Sequence, residues 1–569
     1  MAIGGQGLSL GLAELKSPRA PWRLARICLL VAGLASVGAP AVAPAADRHL
    51  EDAFEAAQWA LLSSAGNALQ QLGLRAAAGS PELAGIVRQR QDIVAMISGK
   101  EKALGQATSA GASGADALVR LRGEIDSLRA ELVGVDATLA RSFPRYADLA
   151  HPKPLSVADV QALLDEDEGL LLMLAGHDHI FVWAIGKHDT AWTETGYGAE
   201  ILGGDIARLR AELDPAAAAR GARTLVPGMD KPRVAPFDRT TASILYGELI
   251  RPVEPALKAA RHVFVVSDGP LAGLPLSVLV ASAPTGEDTD PEALRRTDWL
   301  ARHYAFTTLP SVDSLAVIRK YPPPRGGKKR IAFRGFGAPV LGGETVEVAS
   351  APPASFFRGS LANVDAVRDL PPLPETGPEL RKLAAILGAP ETDLFVGARA
   401  SETIVKQTDL STTDVLAFAT HGLLSGDLRG LAEPALVLTP PQVATARDDG
   451  LLTASEVAEL KLSAQWVILS ACNTAGGDGR PDAEGLSGLA RAFLYAGARA
   501  ILVSHWPVRD DAAARLTTQT LAALGSGSRL RRAEALRLAM LDIMQDKDDP
   551  SLAHPSAWAP FVLVGEGGY

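Results

Sequence analysis

Cysteine is nearly absent from this 569-residue chain, which holds only Cys28 and Cys472. Two thiols exclude a disulfide framework, so folding has to rest on burial of apolar surface. Aromatic residues are scarce at 5%, yet hydrophobic residues reach 47%, which describes a globular chain rather than a disordered one. Surplus positive charge is missing as well. A formal charge of -9 leaves no basic face to neutralise phosphates, so a nucleic-acid partner is not expected. The short run Lys328-Lys329-Arg330 reads as a solvated linker. No repeat of about 34 residues marks the helical region before residue 143, which argues against a tetratricopeptide array there. Gly335-Phe336-Gly337 is too short and wrongly spaced for a dinucleotide fingerprint, and no other phosphate cradle is evident.

One long apolar run is present, at the start. Lys16, Arg19, Arg23 and Arg26 precede the stretch Ile27 to Val37, and Ala41-Val42-Ala43-Pro44-Ala45 supplies small residues after it. That order predicts a secretory signal over residues 1–45 with cleavage after Ala45, and hence an exported, periplasmic or secreted protein. The alternative is an uncleaved membrane anchor over residues 27–43. No other stretch approaches the ~18 apolar residues of a spanning helix. Cleavage would remove Cys28 and leave Cys472 as a lone thiol exposed to oxidation, a placement that asks for a reason.

Residues 46–146 read as an α-helical hairpin. Leu118, Leu121, Ile125, Leu128, Leu132, Val135 and Leu139 recur at steps of three and four, a heptad seam. Ile86, Ile93, Ile97 and Leu104 supply an antiparallel partner arm, joined through the turn around Gly111 to Gly114. The arms either pack on each other and on the body or form a coiled coil for a protein partner.

From 147 to 325 the pattern turns to strands. Leu170 to Leu174 and Ile180 to Ile185 flank the turn Gly176-His177-Asp178-His179, and Val263 to Val266 stops at Ser267-Asp268-Gly269-Pro270. His177 and His179 lack a third ligand and read as turn residues, so no metal is expected. Asp268 reads as a turn former, with a substrate-facing role as the alternative. Tyr321 to Gly327 reads as a linker, after which strands and helices alternate to residue 569. The alternation predicts a doubly wound, mostly parallel α/β sheet.

Two apolar runs in this second half each end on a reactive residue. Val415-Leu416-Ala417-Phe418-Ala419-Thr420 is followed by His421-Gly422, and Trp466-Val467-Ile468-Leu469-Ser470-Ala471 by Cys472-Asn473-Thr474. Read as neighbouring parallel strands with a crossover helix at Thr453 to Leu460, they bring an imidazole and a thiol to the same carboxyl edge. A cysteine alone at a strand end is usually a small buried hydrophobe. Paired with an imidazole, the thiol can lose its proton and attack carbonyl carbon, with the histidine as general base and then acid. The backbone N–H groups of Gly422 and Cys472 are candidate oxyanion donors. The expected reaction is acyl transfer to water, most naturally peptide hydrolysis, with no cofactor.

Phe418-Ala419-Thr420-His421-Gly422, Leu469-Ser470-Ala471-Cys472-Asn473-Thr474-Ala475, Glu484-Gly485-Leu486-Ser487-Gly488-Leu489-Ala490 and Ser504-His505-Trp506-Pro507-Val508 together resemble the CHAT domain. The likeness extends to Ser267 to Pro275, Leu309-Pro310-Ser311-Val312 and Trp558-Ala559-Pro560-Phe561, covering residues 235–566. This family lies in the caspase and separase clan of cysteine peptidases. The resemblance implies a caspase-like fold with a degenerate half at 147–325 and a catalytic half at 326–569. It also implies His421 and Cys472 as catalytic dyad and a protein or peptide as substrate, in a bacterial-type exported peptidase. The alternative is a catalytically silent or gated module that binds a partner through the hairpin. Many relatives carry tetratricopeptide repeats ahead of the domain; this chain has only the hairpin. Ser-Ala-Cys-Asn-Thr also differs from the Gln-Ala-Cys-x-Gly of animal caspases, so cleavage after aspartate does not follow.

Overall fold

Apolar side chains at alternate positions of each strand build two opposite faces of one large sheet. The structure is a computed structural model. It describes residues 50–61, 115–142 with scattered positions between 86 and 100, 154–214, 235–320 apart from Asp268, 330–342, 357–358 and 361–423. It also describes 434–470 apart from Ala446, and 488–568 apart from Pro507 and 526–529. The expected signal over residues 1–45, Asp268, and the segment 471–487 that contains Cys472 lie outside the described residues.

The strands are β1 Glu168–Ala175, β2 Ile180–Gly186, β3 Thr190–Thr195, β4 His262–Ser267, β5 Ala305–Thr308, β6 Ile331–Gly337, β7 Phe357–Arg358 and β8 Leu361–Ala362. There follow β9 Leu394–Val396, β10 Thr413–Ala419, β11 Gly422–Leu423, β12 Ala435–Val437, β13 Leu451–Thr453, β14 Trp466–Ser470, β15 Ala500–Ser504 and β16 Phe561–Gly565. Eleven form one sheet in the order β3-β2-β1-β4-β5-β16-β15-β14-β10-β6-β9. The pairs β1–β4, β4–β5, β15–β14, β14–β10, β10–β6 and β6–β9 are parallel, while β15–β16, β1–β2 and β2–β3 are antiparallel. This is the mostly parallel α/β sheet that the sequence predicts. The strands before and after residues 321–329 share it, because β16 sits between β5 and β15.

Helices cover both faces. Val415, Ala417 and Ala419 face one core with Leu380, Leu516 and Leu536, whereas Leu416 and Phe418 face a second with Val457, Leu489 and Phe493. A third core sets Phe54 and Leu61 of the helix over 50–61 against Leu170, Leu172, Trp183 and Phe264. Gln58 fixes that helix by hydrogen bonds to and from the Leu155 backbone, both 2.9 Å. Ala115–Ser142 is a single helix with Ile125, Val135 and Leu139 buried, and Lys100 of the earlier arm meets its Glu124 at 2.6 Å. Arg330, expected in a solvated run, is instead ion-paired with Asp414 and donates to the Ser463 carbonyl at 2.9 Å. Its guanidinium ties the starts of β6 and β10 to the turn before β14.

The crossover from β10 to β14 carries a small second sheet, β11-β12-β13, before the helix Ala454–Glu459. Thr453 starts that helix with a reciprocal capping box to Glu456. One glycine sets the approach of β6 to β10. A Cβ on Gly337 would stand 2.4 Å from the Ala419 carbonyl oxygen and 3.1 Å from the Ala419 Cβ. Gly337→Ala is therefore expected to cost about 1–3 kcal/mol through overpacking, with the displaced atoms two residues from His421. Urea unfolding measures the cost; a loss under about 0.5 kcal/mol would show that the strands separate freely.

Candidate functional site

β10 and β14 are neighbours, in a register that pairs Val415 with Trp466 and Ala419 with Ser470. Each chain then runs two residues further, to His421 and to Cys472. The β10 end is described in full. Thr420 is buried and its hydroxyl donates to the Val437 carbonyl, while the Val437 N–H donates to the His421 carbonyl at 3.0 Å. Val437 of β12 thus holds both the His421 carbonyl and the hydroxyl of the residue before it. Gly422 stands opposite Leu436 next to that hydrogen bond. In an antiparallel ladder bonded and non-bonded pairs alternate, so the Gly422 N–H points away from β12.

The imidazole of His421 is oriented by a backbone carbonyl. Its Nε2 lies 2.8 Å from the Pro371 oxygen. A carbonyl only accepts, so Nε2 carries the proton in the neutral ring and Nδ1 keeps its lone pair. Burial pushes the His421 pKa below its ordinary 6.5, partly opposed by the Pro371 hydrogen bond. The folded protein therefore favours the neutral ring, and protonating it opposes folding. This contribution to stability is complete above pH 6.5 and is lost as pH falls from there through the depressed folded value. A chemical step that needs neutral His421 should keep its acidic limb below pH 6.5. A pH–rate profile whose acidic limb has its midpoint at or above 6.5 would contradict this geometry.

His421 opens onto a cleft of about 740 Å³ at the carboxyl edge of the sheet. Among the described residues its walls include Leu373, Thr376 and Glu379 on one side and Ser504, Arg509, Asp511 and Phe561 on the other, with Thr420 and Ser470 at the strand ends. Ser470 donates to Glu379 at 3.0 Å, which ties the end of β14 to the helix Thr376–Ile386. Arg509 is gripped by Asp511 at 2.7 Å and Asp549 at 2.8 Å, and these carboxylates hold its pKa above the usual value. Its charge is already matched, so it is not a ready receptor for an acidic side chain.

Of the expected site residues, the structure therefore places His421 and Gly422 at one strand end; Cys472 lies outside the described residues. His177 is an exposed turn residue 2.6 Å from Asp178, and His179 lies 3.7 Å from Glu194. The roles of Pro371, Thr420 and Val437 around the imidazole escaped the sequence, because two of the three act through backbone atoms that any residue carries.

The CHAT domain family model matches residues 239–566. Tetratricopeptide repeat protein 28 of Mus musculus is 27% identical over 367 residues, which cover 56% of this chain and 13% of that protein. The Homo sapiens protein of the same name is 26% identical over 379 residues, 58% of this chain and again 13% of its own length. The alignment thus spans about an eighth of those relatives. Two crystal structures of the Saccharomyces cerevisiae separase–securin complex align with 78% and 75% of this chain and 33% and 31% of theirs. Identity is 12% and 11%, with TM-scores of 0.36 and 0.39. With its family match running across more than half of its length, this chain belongs to the CHAT domain family.

Proposed function

We propose that this chain is a caspase-like cysteine endopeptidase that uses Cys472 as nucleophile and His421 as general base and acid. The observation that carries the reading is the β10–β14 register, which ends both strands level with each other two residues before the histidine and the cysteine. Nδ1 of His421 takes the Sγ proton, and the thiolate adds to the scissile carbonyl. The N–H groups of Gly422 and Cys472 receive the oxyanion. The C–N bond then breaks as the imidazolium returns its proton to the leaving amine. Water, deprotonated by the same ring, cleaves the thioester.

A second reading, a silent or gated module that recruits a protein through its hairpin, is favoured by the exposure of Met96 and Val133, 45% and 69%, on the two arms. Export through residues 1–45, or anchoring by 27–43, belongs to both. Terminal-amine proteomics on a proteome treated with the wild type and with Cys472→Ala tests the peptidase. New amino termini are expected with the wild type only. Identical sets of termini would remove the hydrolytic reading and leave the binding module.

A further inference from the structure

Three of the segments that carry the family resemblance contain neither dyad residue, yet they meet at one place. Leu271, Ala272, Leu274, Pro275, His505 and Phe561 line a second cavity, on the sheet face covered by the helix Arg532–Met544. It measures about 50 Å³, room for roughly four water molecules. The half-exposed Ala272 and Phe306 also border it. Phe561 borders the His421 cleft as well, so the two spaces share a wall.

The lining is mostly apolar, with Leu271, Leu274, Leu276, Leu536 and Met540. Six polar residues interrupt it, Ser267, Ser277, Tyr304, Thr308, His505 and Arg537, and two of them carry an unmatched buried atom. Nδ1 of His505 and Oγ of Ser277 are both buried, on residues 5% and 6% exposed, and have no hydrogen-bond partner among the described residues. Buried polar groups are normally satisfied, so this pair asks for something to fill the space. Charge is not what is asked for. Arg537, the cation in the wall, is already bidentate to Glu534 at 2.7 Å through both contacts. Burial, helped by the nearby Arg210 cation, keeps His505 neutral by pushing its pKa well below 6.5. In a neutral imidazole one nitrogen accepts a hydrogen bond and the other donates one, and a hydroxyl can answer either.

We infer that this cavity is a binding site for a small neutral molecule with an apolar body and one hydroxyl, which hydrogen-bonds to Nδ1 of His505. The apolar body replaces water against the leucines, and the hydroxyl satisfies a nitrogen that the protein leaves unmatched. A site built to hydrogen-bond a hydroxyl discriminates against the analogue lacking it. This inference does not depend on the peptidase reading, since binding is measured without any turnover.

Phenol and toluene, equal in shape and differing in the hydroxyl, are the probes, titrated into the full chain by ligand-observed NMR. Phenol is expected to bind saturably and at least tenfold more tightly than toluene. In His505→Phe, which keeps an aromatic ring and removes its nitrogens, the two should bind within twofold of each other. Ala272→Leu, which narrows the half-exposed margin, should weaken both. Equal binding of phenol and toluene to the wild type, or a phenol preference that survives His505→Phe, overturns the inference. So does phenol binding that shows no saturation.

Discussion

His421→Ala should slow alkylation of Cys472 by iodoacetamide at pH 6 by about 10²-fold, and lower kcat/KM on any peptide substrate by 10³- to 10⁴-fold, about 4–5.5 kcal/mol. The two figures differ for a physical reason. Alkylation needs only the thiolate, and a thiol with its free pKa near ~8.5 is ionised to well under one percent at pH 6. Hydrolysis needs in addition a proton for the leaving amine, so it loses the acid as well as the base. The pH dependence separates this from collapse of the fold. Without the imidazole, labelling should climb with pH towards ~8.5 and approach the wild-type rate above it, because solvent then removes the proton. Peptide mapping of the labelled chain distinguishes Cys472 from Cys28. Equal labelling of wild type and His421→Ala at pH 6 would mean that the ring does not reach the sulfur, and the binding-module reading would stand in its place.

The part of this site legible in the sequence is the part written by side chains and strand periodicity. Two apolar runs, each short enough for a strand and each ended by a reactive residue, were sufficient to pair β10 with β14. The capping box at Thr453 and Glu456 marked the crossover helix between them. What holds the imidazole was illegible. Pro371 contributes a carbonyl and Val437 a backbone N–H and carbonyl, and neither leaves a trace in residue identity. Of the sheet β11-β12-β13 only β12 shows in the sequence, as the apolar run Ala435 to Leu438, because its neighbours of two and three residues are too short to show a period of two. β3 was missed for another reason: Thr190 to Thr195 is a polar edge strand with a single large apolar residue, Trp192, which stacks on Trp183 of β2. The direction of β16 was equally hidden. Phe561 to Val564 is a uniform apolar run, and only its register with β15 shows that it enters the sheet antiparallel. The charged side chains that lock the sheet's other edge were also silent, since an isolated Glu or His in sequence carries no sign of its partner.

Glu168→Ala should destabilise the protein by about 3–5 kcal/mol, a large part of the 5–15 kcal/mol usual for a domain, while leaving Cys472 labelling of the molecules that remain folded unchanged. Glu168 begins β1 and is 1% exposed. One carboxylate oxygen accepts from Arg319 and the other lies 3.5 Å from His262, whose Nε2 is 2.7 Å from the Thr307 hydroxyl. Arg531 reaches Glu168 at 3.9 Å and Asp167 at 2.6 Å, and its neighbour Arg532 reaches Gln465, just before β14, at 3.0 Å. β1 and β14 therefore start from one edge, and His421 lies beyond the opposite one. Removing the carboxylate leaves a partly buried Arg319 without its anion and takes away the group beside Nδ1 of the buried His262, which is the costly way to break a buried pair. Burial works against the carboxylate, but His262 and Arg319 outweigh it and hold its pKa at about 2, below its ordinary 4.5. A carboxyl depressed on folding stabilises fully above its unfolded value, and that stabilisation is lost as pH falls from about 4.5 through 2. The gap between wild type and Glu168→Ala should accordingly shrink by roughly 3 kcal/mol between pH 6 and pH 2 in urea titrations. Glu168→Gln, which keeps the volume and an acceptor for Arg319, should lose less than the alanine variant at pH 6. A pH-independent gap would place the cost in the cavity rather than in the charge, and a gap under 1 kcal/mol would mean that water already screens the pair. Loss of labelling in folded Glu168→Ala would in turn join the two edges of the sheet into one functional unit.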